Sequence, residues 1–310
     1  MLRSLYSGVS GMRNFQTKMD VIANNISNVN TTAFKSGRVR FQDMLNQTIS
    51  NASSPSNTGG IGGTNPQQIG LGVKVGAIDT IMTGGAMQPT NRDLDFAIER
   101  EGFFAVSQDS EGVLKSYTRD GVFYTDYEGN LVNANGLRVL GYGYDGNRGV
   151  APEDMEFELI SDDPELDIPQ EGEEPSESLE RLQPLRIPKI YDEKELDIYP
   201  IDGSGRIIGI YGGEAYLLGQ IGIVTFSNPE GLTKLGNNTY ANSNNSGEPV
   251  AGIAGTGGSG TIRQGYIEMS NVDLANEFTE MIITSRAYQA NSRSITTSDE
   301  MLQELINLKR

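Results

Sequence analysis

The chain has 310 residues, 36% of them apolar, with 38 glycines and a formal net charge of -17, which allows one large core or two smaller ones. It contains no His and no Cys; that removes the usual general base, any Ser-His-Asp arrangement, thiol nucleophiles, disulfides and the commonest metal ligands, so no cofactor and no metal are expected and an enzyme would have to rely on carboxylates. The acidic balance argues against nucleic acid; no run approaches the ~18 apolar residues of a membrane span and no apolar leader ends in a small-residue cleavage site, so neither membrane insertion nor a cleaved signal peptide is expected.

The first predicted element is an amphipathic helix within residues 1–41. Leu2, Leu5, Val9, Met12, Met19 and Ile26 recur at alternating steps of three and four, with Ala23 filling one step and Gln16 interrupting another; this is the spacing of a coiled-coil seam. Gly8 and Gly11 each cost about 1 kcal/mol against Ala inside a helix, and the helix runs out in Asn24, Asn25, Ser27, Asn28 and Asn30. Alone in water such a helix is marginal. The same stretch is basic, with Arg3, Arg13, Lys18, Lys35, Arg38 and Arg40 against Asp20. Residues 46–72, rich in Asn, Ser, Thr and Gly and carrying Pro55 and Pro66, read as an extended spacer.

A first β domain is expected over 42–147 and 219–270. Its strand runs are Leu94 to Ile98, Phe103 to Val106, Val122 to Tyr124, Leu131 to Val132 and Leu137 to Leu140, punctuated by turns such as Asp120-Gly121 and Glu128-Gly129-Asn130. A second β domain, 148–218, is expected as an insertion, with strands at Ile187 to Tyr191, Ile198 to Ile201, Ile207 to Tyr211 and Ala215 to Leu218, before Ile221 to Phe226 returns to the first. Between Glu153 and Glu180 stand 13 acidic residues and no Lys or Arg. That composition predicts a solvated loop, whereas a calcium loop would need a turn glycine and the run offers only Gly172.

Candidate chemistry is sparse. Gly255, Gly257 and Gly260 fit G-x-G-x-x-G, but Thr261 to Met269 reads as strand and not as the helix a pyrophosphate needs; the Gly60, Gly62, Gly63 cluster has no following Lys-Ser/Thr. Asp120, Asp126 and Glu128 could act as paired carboxylates in a glycan hydrolase, yet they sit at hairpin turns, where acidic residues serve local hydrogen bonding. No catalytic residue is expected.

The chain ends in a second helix, 271–310, free of Gly and Pro, opened by Ser270 and Asp273 in capping-box spacing, and weakest over Ser292 to Ser298. Leu274, Phe278, Met281, Tyr288, Ile295, Leu302 and Ile306 form its stripe, with Ser285, Ser292 and Asp299 as weak links and Glu277 outward. Each stripe can bury itself on its own domain, on the other helix, or on a neighbouring subunit. The fold class expected is mainly β, with nested β domains and long N- and C-terminal helices forming a coiled-coil domain from 1–41 and 271–310.

Five stretches carry a resemblance. MLRSLYSGVSGMRNFQTKMDVIANNISNVNTTAFKSGRVRFQDML, centred on Ala23 to Asn28, resembles the N-terminal signature of the axial rod and hook proteins of the bacterial flagellum. MSNVDLANEFTEMIITSRAYQANSRSITTSDEMLQELINLKR is similar to their C-terminal signature, and LDFAIEREGFFAV, YTRDGVFYTDYEGNLVNANGLRVLGY and FSNPEGLTKLGNNTYANS to their β domain. One departure is Ala33, where the family usually has Gly before Phe34. The resemblance implies a structural subunit, exported through the flagellar type III apparatus to the cell exterior, that polymerises with itself into a helical tube. It implies that the thirteen stripe residues are subunit seams and that the distal rod, hook cap and hook-filament junction proteins are partners. The opening residues, the spacer and the inserted domain look hook-like, implying the flexible joint that passes torque to the filament; the distal rod is the alternative. An adhesive β module that stays monomeric is the remaining rival.

Overall fold

The computed structural model describes residues 2–54, 62–109, 112–143, 157–160, 166, 168, 175–191 and 194–308. The protein is mainly β with a long helix at each end; its α-helices among the described residues are α1 (Leu2–Ser27), α2 (Pro175–Glu180) and α3 (Leu274–Asn307). It divides into two compact units, 1–29 with 36–81 and 272–310, and 30–35 with 82–271.

The first unit joins α1 and α3 to a two-stranded ribbon. α1 ends where the backbone N–H and side-chain amide of Asn28 both donate to Asn24 O, at 3.2 and 2.9 Å, inside the Asn-rich run. α3 starts at Asp273, whose carboxylate accepts from the backbone N–H of Ala275 and Asn276 at 3.0 and 3.4 Å. It stays helical for 34 residues, through the Ser/Thr stretch. There Thr296 and Thr297 donate to Arg293 O and Ser298 to Ser294 O, so the hydroxyls are satisfied within the helix. In the ribbon Gly37–Asp43 pairs antiparallel with Val73–Thr80, and Asn46–Ser50 with Gln67–Gly70. Phe41 meets Phe15 of α1 edge to face at 5.6 Å, and Asn14 donates to Val73 O at 2.6 Å. Much of the expected spacer is therefore paired strand, and 55–61 lie outside the described residues.

Among the described residues the second unit is built on a 14-stranded sheet. Its spine is Glu214–Thr225, a strand of 12 residues. One half pairs with Arg206–Tyr211, the other with Val250–Ile253 and Phe103–Ser107, while Arg138–Tyr142 joins at Gln220 and Ile221. The expected runs Ala215 to Leu218 and Ile221 to Phe226 are thus one strand, and strands assigned to the inserted domain share a sheet with strands assigned to the first. Successive residues alternate between two cores. Phe104, Val106, Val139 and Ile223 enter one with Phe96, Phe123 and Ile207, whereas Phe103, Ala105, Leu140 and Val224 enter the other with Tyr117, Phe226 and Tyr240. Burial on both faces explains why these strands read as unbroken apolar runs.

The acidic stretch differs from a solvated loop at several of its described residues. Phe157 is buried, Glu158–Leu159 pairs with Leu217 and Tyr216, and Ile168 packs against the second core together with Leu179 from α2. The apolar residues dispersed among the acids anchor it. Most of its carboxylates lie outside the described residues.

Candidate assembly surface

In the first unit α1 and α3 run antiparallel, in contact along their length. Ser4 Oγ lies 3.4 Å from Ser298 Oγ, Lys18 Nζ donates to Glu280 Oε2 at 2.6 Å, and Asn25 Nδ2 donates to Glu277 Oε1 at 3.1 Å. Glycines set the approach between them: a Cβ on Gly8 would lie 3.0 Å from Ile295 Cγ1, and one on Gly11 would lie 2.9 Å from Asn291 Nδ2. The two residues that weaken α1 as an isolated helix are those that admit its partner.

The inward row of α1 is Ser4, Gly8, Gly11, Lys18, Ile22 and Asn25, one position off the expected stripe. Leu5, Met12, Met19 and Ile26 flank it half-buried and Val9 is exposed, while the side chain of Leu2 lies outside the described residues. On α3, Met281, Tyr288, Ile295 and Leu302 are half-buried, whereas Leu274, Phe278 and Ile306 are exposed, Phe278 at 50%. Ile282, Ile283, Met301 and Leu305 add to that outward apolar surface. Glu277, expected outward, instead faces Asn25. Its neighbourhood raises its carboxyl pKa, chiefly by desolvation.

Within the second unit lies a buried ionic clasp that sequence reasoning missed. Glu268 ends the strand Tyr266–Glu268 and is 2% exposed. Its Oε1 accepts from Lys35 Nζ at 2.6 Å and Gly85 N at 2.9 Å, its Oε2 from Arg119 Nη1 at 3.3 Å, and its backbone O from Ala33 N at 2.8 Å. Lys35 also donates to Thr83 O at 2.8 Å, and burial lowers its pKa despite Glu268. Lys234 Nζ donates to Lys35 O and Asn238 Nδ2 to Thr32 O, both at 3.0 Å, so the segment 30–35 is held along its length.

Ala33 inside that segment has φ +55°, the left-handed region a Gly would occupy freely. Gly would relieve about 1–2 kcal/mol of strain but give up a buried methyl and add unfolded-state entropy. Ala33→Gly is therefore expected to shift stability by less than about 1 kcal/mol in urea unfolding, and a larger loss would mean that packing of the methyl outweighs the strain it imposes.

Asp126 and Glu128 are occupied by their own hairpin, and Asp120 by its own turn together with Thr32 and Asn238. Asp126 accepts from the backbone and side-chain N–H groups of Asn130 at 2.8 and 2.7 Å, and Glu128 accepts from Tyr127 Oη at 2.6 Å. Asp120 is half-buried and accepts from Val122 N at 3.4 Å, with burial raising its pKa above the usual 3.8. A carboxyl whose folded pKa is raised binds its proton more tightly when folded, so its penalty grows as pH rises through that window and is relieved as pH falls back towards 3.8. Asp120→Asn is expected to raise the urea midpoint at pH 7 and to flatten its rise on acidification. A lower midpoint at pH 7 would show that the charge is needed. The loop 255–260 leads into the strand Thr261–Gln264, so no helix N-terminus follows it. Among the described residues no His/Cys/Asp/Glu group could hold a metal, and no helix is long and apolar enough to cross a membrane.

Both terminal segments match families of known proteins. Residues 5–35 match the family described as "Flagella basal body rod protein", 97–180 "Flagellar hook protein FlgE/F/G D1 domain" and 263–308 "Flagellar basal body rod FlgEFG protein C-terminal". The chain is 45% identical to the flagellar basal-body rod protein FlgG of Bacillus subtilis over 311 residues, covering 100% of both chains. It is 36% identical over 310 residues to the rod protein FlgG of Borreliella burgdorferi, again covering 100% of both. With the flagellar hook protein FlgE of Borreliella burgdorferi it shares 34% identity over 446 aligned positions, with 100% of each chain covered.

Proposed function

Because the chain belongs to the flagellar rod and hook protein family, whose members are structural components of the flagellum and not enzymes, we propose that it polymerises as a subunit of the distal rod, the part of the basal body that carries torque outward to the hook. The observation that carries this reading is the end-to-end match at 45% identity to a rod protein of nearly the same length. The hook reading, which the opening residues and spacer favour, is supported by the 34% match, but that alignment stretches over 446 positions against the 310 residues of this chain. The chain's partners are then further copies of itself and the axial proteins above and below it. Export proceeds through the flagellar type III apparatus, to a site outside the cytoplasmic membrane.

The physical basis is the outward apolar surface of α3. Phe278, Ile282, Ile283, Met301, Leu305 and Ile306 remain exposed after α1 has packed. Covering them with neighbouring copies gains roughly 25 cal/mol per Å² of apolar area. Gold-labelled antibody against this protein on isolated basal bodies tests the assignment by electron microscopy. Label confined to the straight shaft below the hook supports the distal rod, label along the curved segment overturns it in favour of the hook, and absence from both rejects polymerisation in the axis.

A further inference from the structure

The residues that meet between α1 and α3 are polar or small at every seventh position on both helices. On α1 these are Ser4, Gly11, Lys18 and Asn25; on α3 they are Glu277, Thr284, Asn291 and Ser298. The contacts between the helices match them antiparallel: Ser4 with Ser298, Gly11 with Asn291 and Asn25 with Glu277, with Lys18 reaching Glu280 one turn before Thr284. Asn25, Thr284 and Ser298 are buried, and Thr284 Oγ1 has no hydrogen-bond partner. A second row, three or four residues away, holds Gly8 and Ile22 on α1 and the apolar Met281, Tyr288, Ile295 and Leu302 on α3, with Gly8 against Ile295.

An apolar row repeating every seven residues looks the same after a slide of one heptad, about 10.5 Å along the axis. The α3 row, apolar throughout, cannot by itself choose a register; on α1 only Gly8, whose missing Cβ admits Ile295, marks one step from the next. The polar row can, because its members are not interchangeable. Asn291 needs the missing Cβ of Gly11, and after a slide it would face Lys18 or Ser4. Asn25 is fixed independently, since it exchanges hydrogen bonds with both Gly37 O at 2.9 Å and Gly37 N at 3.0 Å while donating to Glu277. Polar residues at single seam positions of paired helices specify register at a cost in stability.

From this we infer that the heptad-spaced polar row is a register lock, with Gly11–Asn291 and Asn25–Glu277 as its two pins. It fixes which residues of the α1 flank stand beside which residues of the exposed α3 stripe. The lock deepens the polymerisation reading, since a neighbour would meet one composite surface and not a sliding pair, but its test does not depend on assembly.

The chain has no native Cys, so introduced pairs report register cleanly. In unassembled full-length protein, Ser4→Cys with Ser298→Cys reports the observed register and Ser4→Cys with Leu305→Cys the slid one. The first pair is expected to form its disulfide at least about tenfold faster than the second. Removing both pins, Asn291→Ala with Asn25→Ala, is expected to cut that preference to about threefold or less, with the near-ultraviolet tyrosine signal of the second unit unchanged. A preference that survives pin removal overturns the lock, as does equal closure of the two pairs in the parent or closure of neither. Failure of the rod assignment would instead appear only in the basal-body labelling and leave these rates as they are.

Discussion

Glu268→Ala is expected to destabilise the second unit by about 3–5 kcal/mol in urea unfolding followed by tyrosine near-ultraviolet signal. The carboxylate is 1% exposed and stands between Lys35, also fully buried, and Arg119, at 4%. Removing it leaves two cations in a low-dielectric interior and unpairs the backbone N–H of Gly85. The burial that already lowers the Lys35 pKa would act unopposed by its main counter-charge. A Lys whose folded pKa lies below its unfolded 10.5 binds more protons unfolded, so the variant should regain stability as pH rises toward 10.5. Adding Lys35→Met should restore part of the loss at neutral pH, giving a coupling energy well outside additivity. A loss below about 1 kcal/mol, or no pH recovery, would show that water or relaxation solvates the cations after all.

What could be read from the sequence was what local pattern controls. Apolar periodicity located α1 and α3, and Gly-punctuated runs located most strands, because turn chemistry and side-chain alternation are local properties. Helix contact was less legible. Periodicity finds the broadest apolar stripe, whereas the closest approach went to Gly8 and Gly11, beside that stripe and not on it. The ribbon 37–80 associates with α1 through Phe15 on Phe41 and Asn14 on Val73 O, contacts no window of sequence contains. The clasp was invisible for the same reason: Lys35 and Glu268 are 233 residues apart, and each alone reads as a surface charge. The boundary placed at 218/219 falls within one continuous strand, Glu214–Thr225.

Phe278→Asp is expected to abolish assembly while leaving the monomer intact, so cells carrying it should lack filaments. Phe278 is half exposed on α3, and none of the hydrogen bonds described between α1 and α3 involves it. Its replacement should therefore change monomer stability by no more than about 0.5 kcal/mol. If a neighbouring subunit covers it, the new carboxylate is buried without a partner at a cost of several kcal/mol per contact, repeated along the polymer. Ile295→Asp makes the contrast, because Ile295 packs against Gly8 and its loss should weaken the helix pair within the monomer itself. Leu302→Asp should do the same, since Leu302 is half-buried on the side of α3 that carries Met281, Tyr288 and Ile295. Glu300→Gln, exposed and off the stripe, serves as the control that assembles normally. Were Phe278→Asp to assemble like the parent, the outward stripe would not be a subunit seam and polymerisation would have to run through the β unit. Were it to melt the monomer, the residue would belong to an intramolecular core.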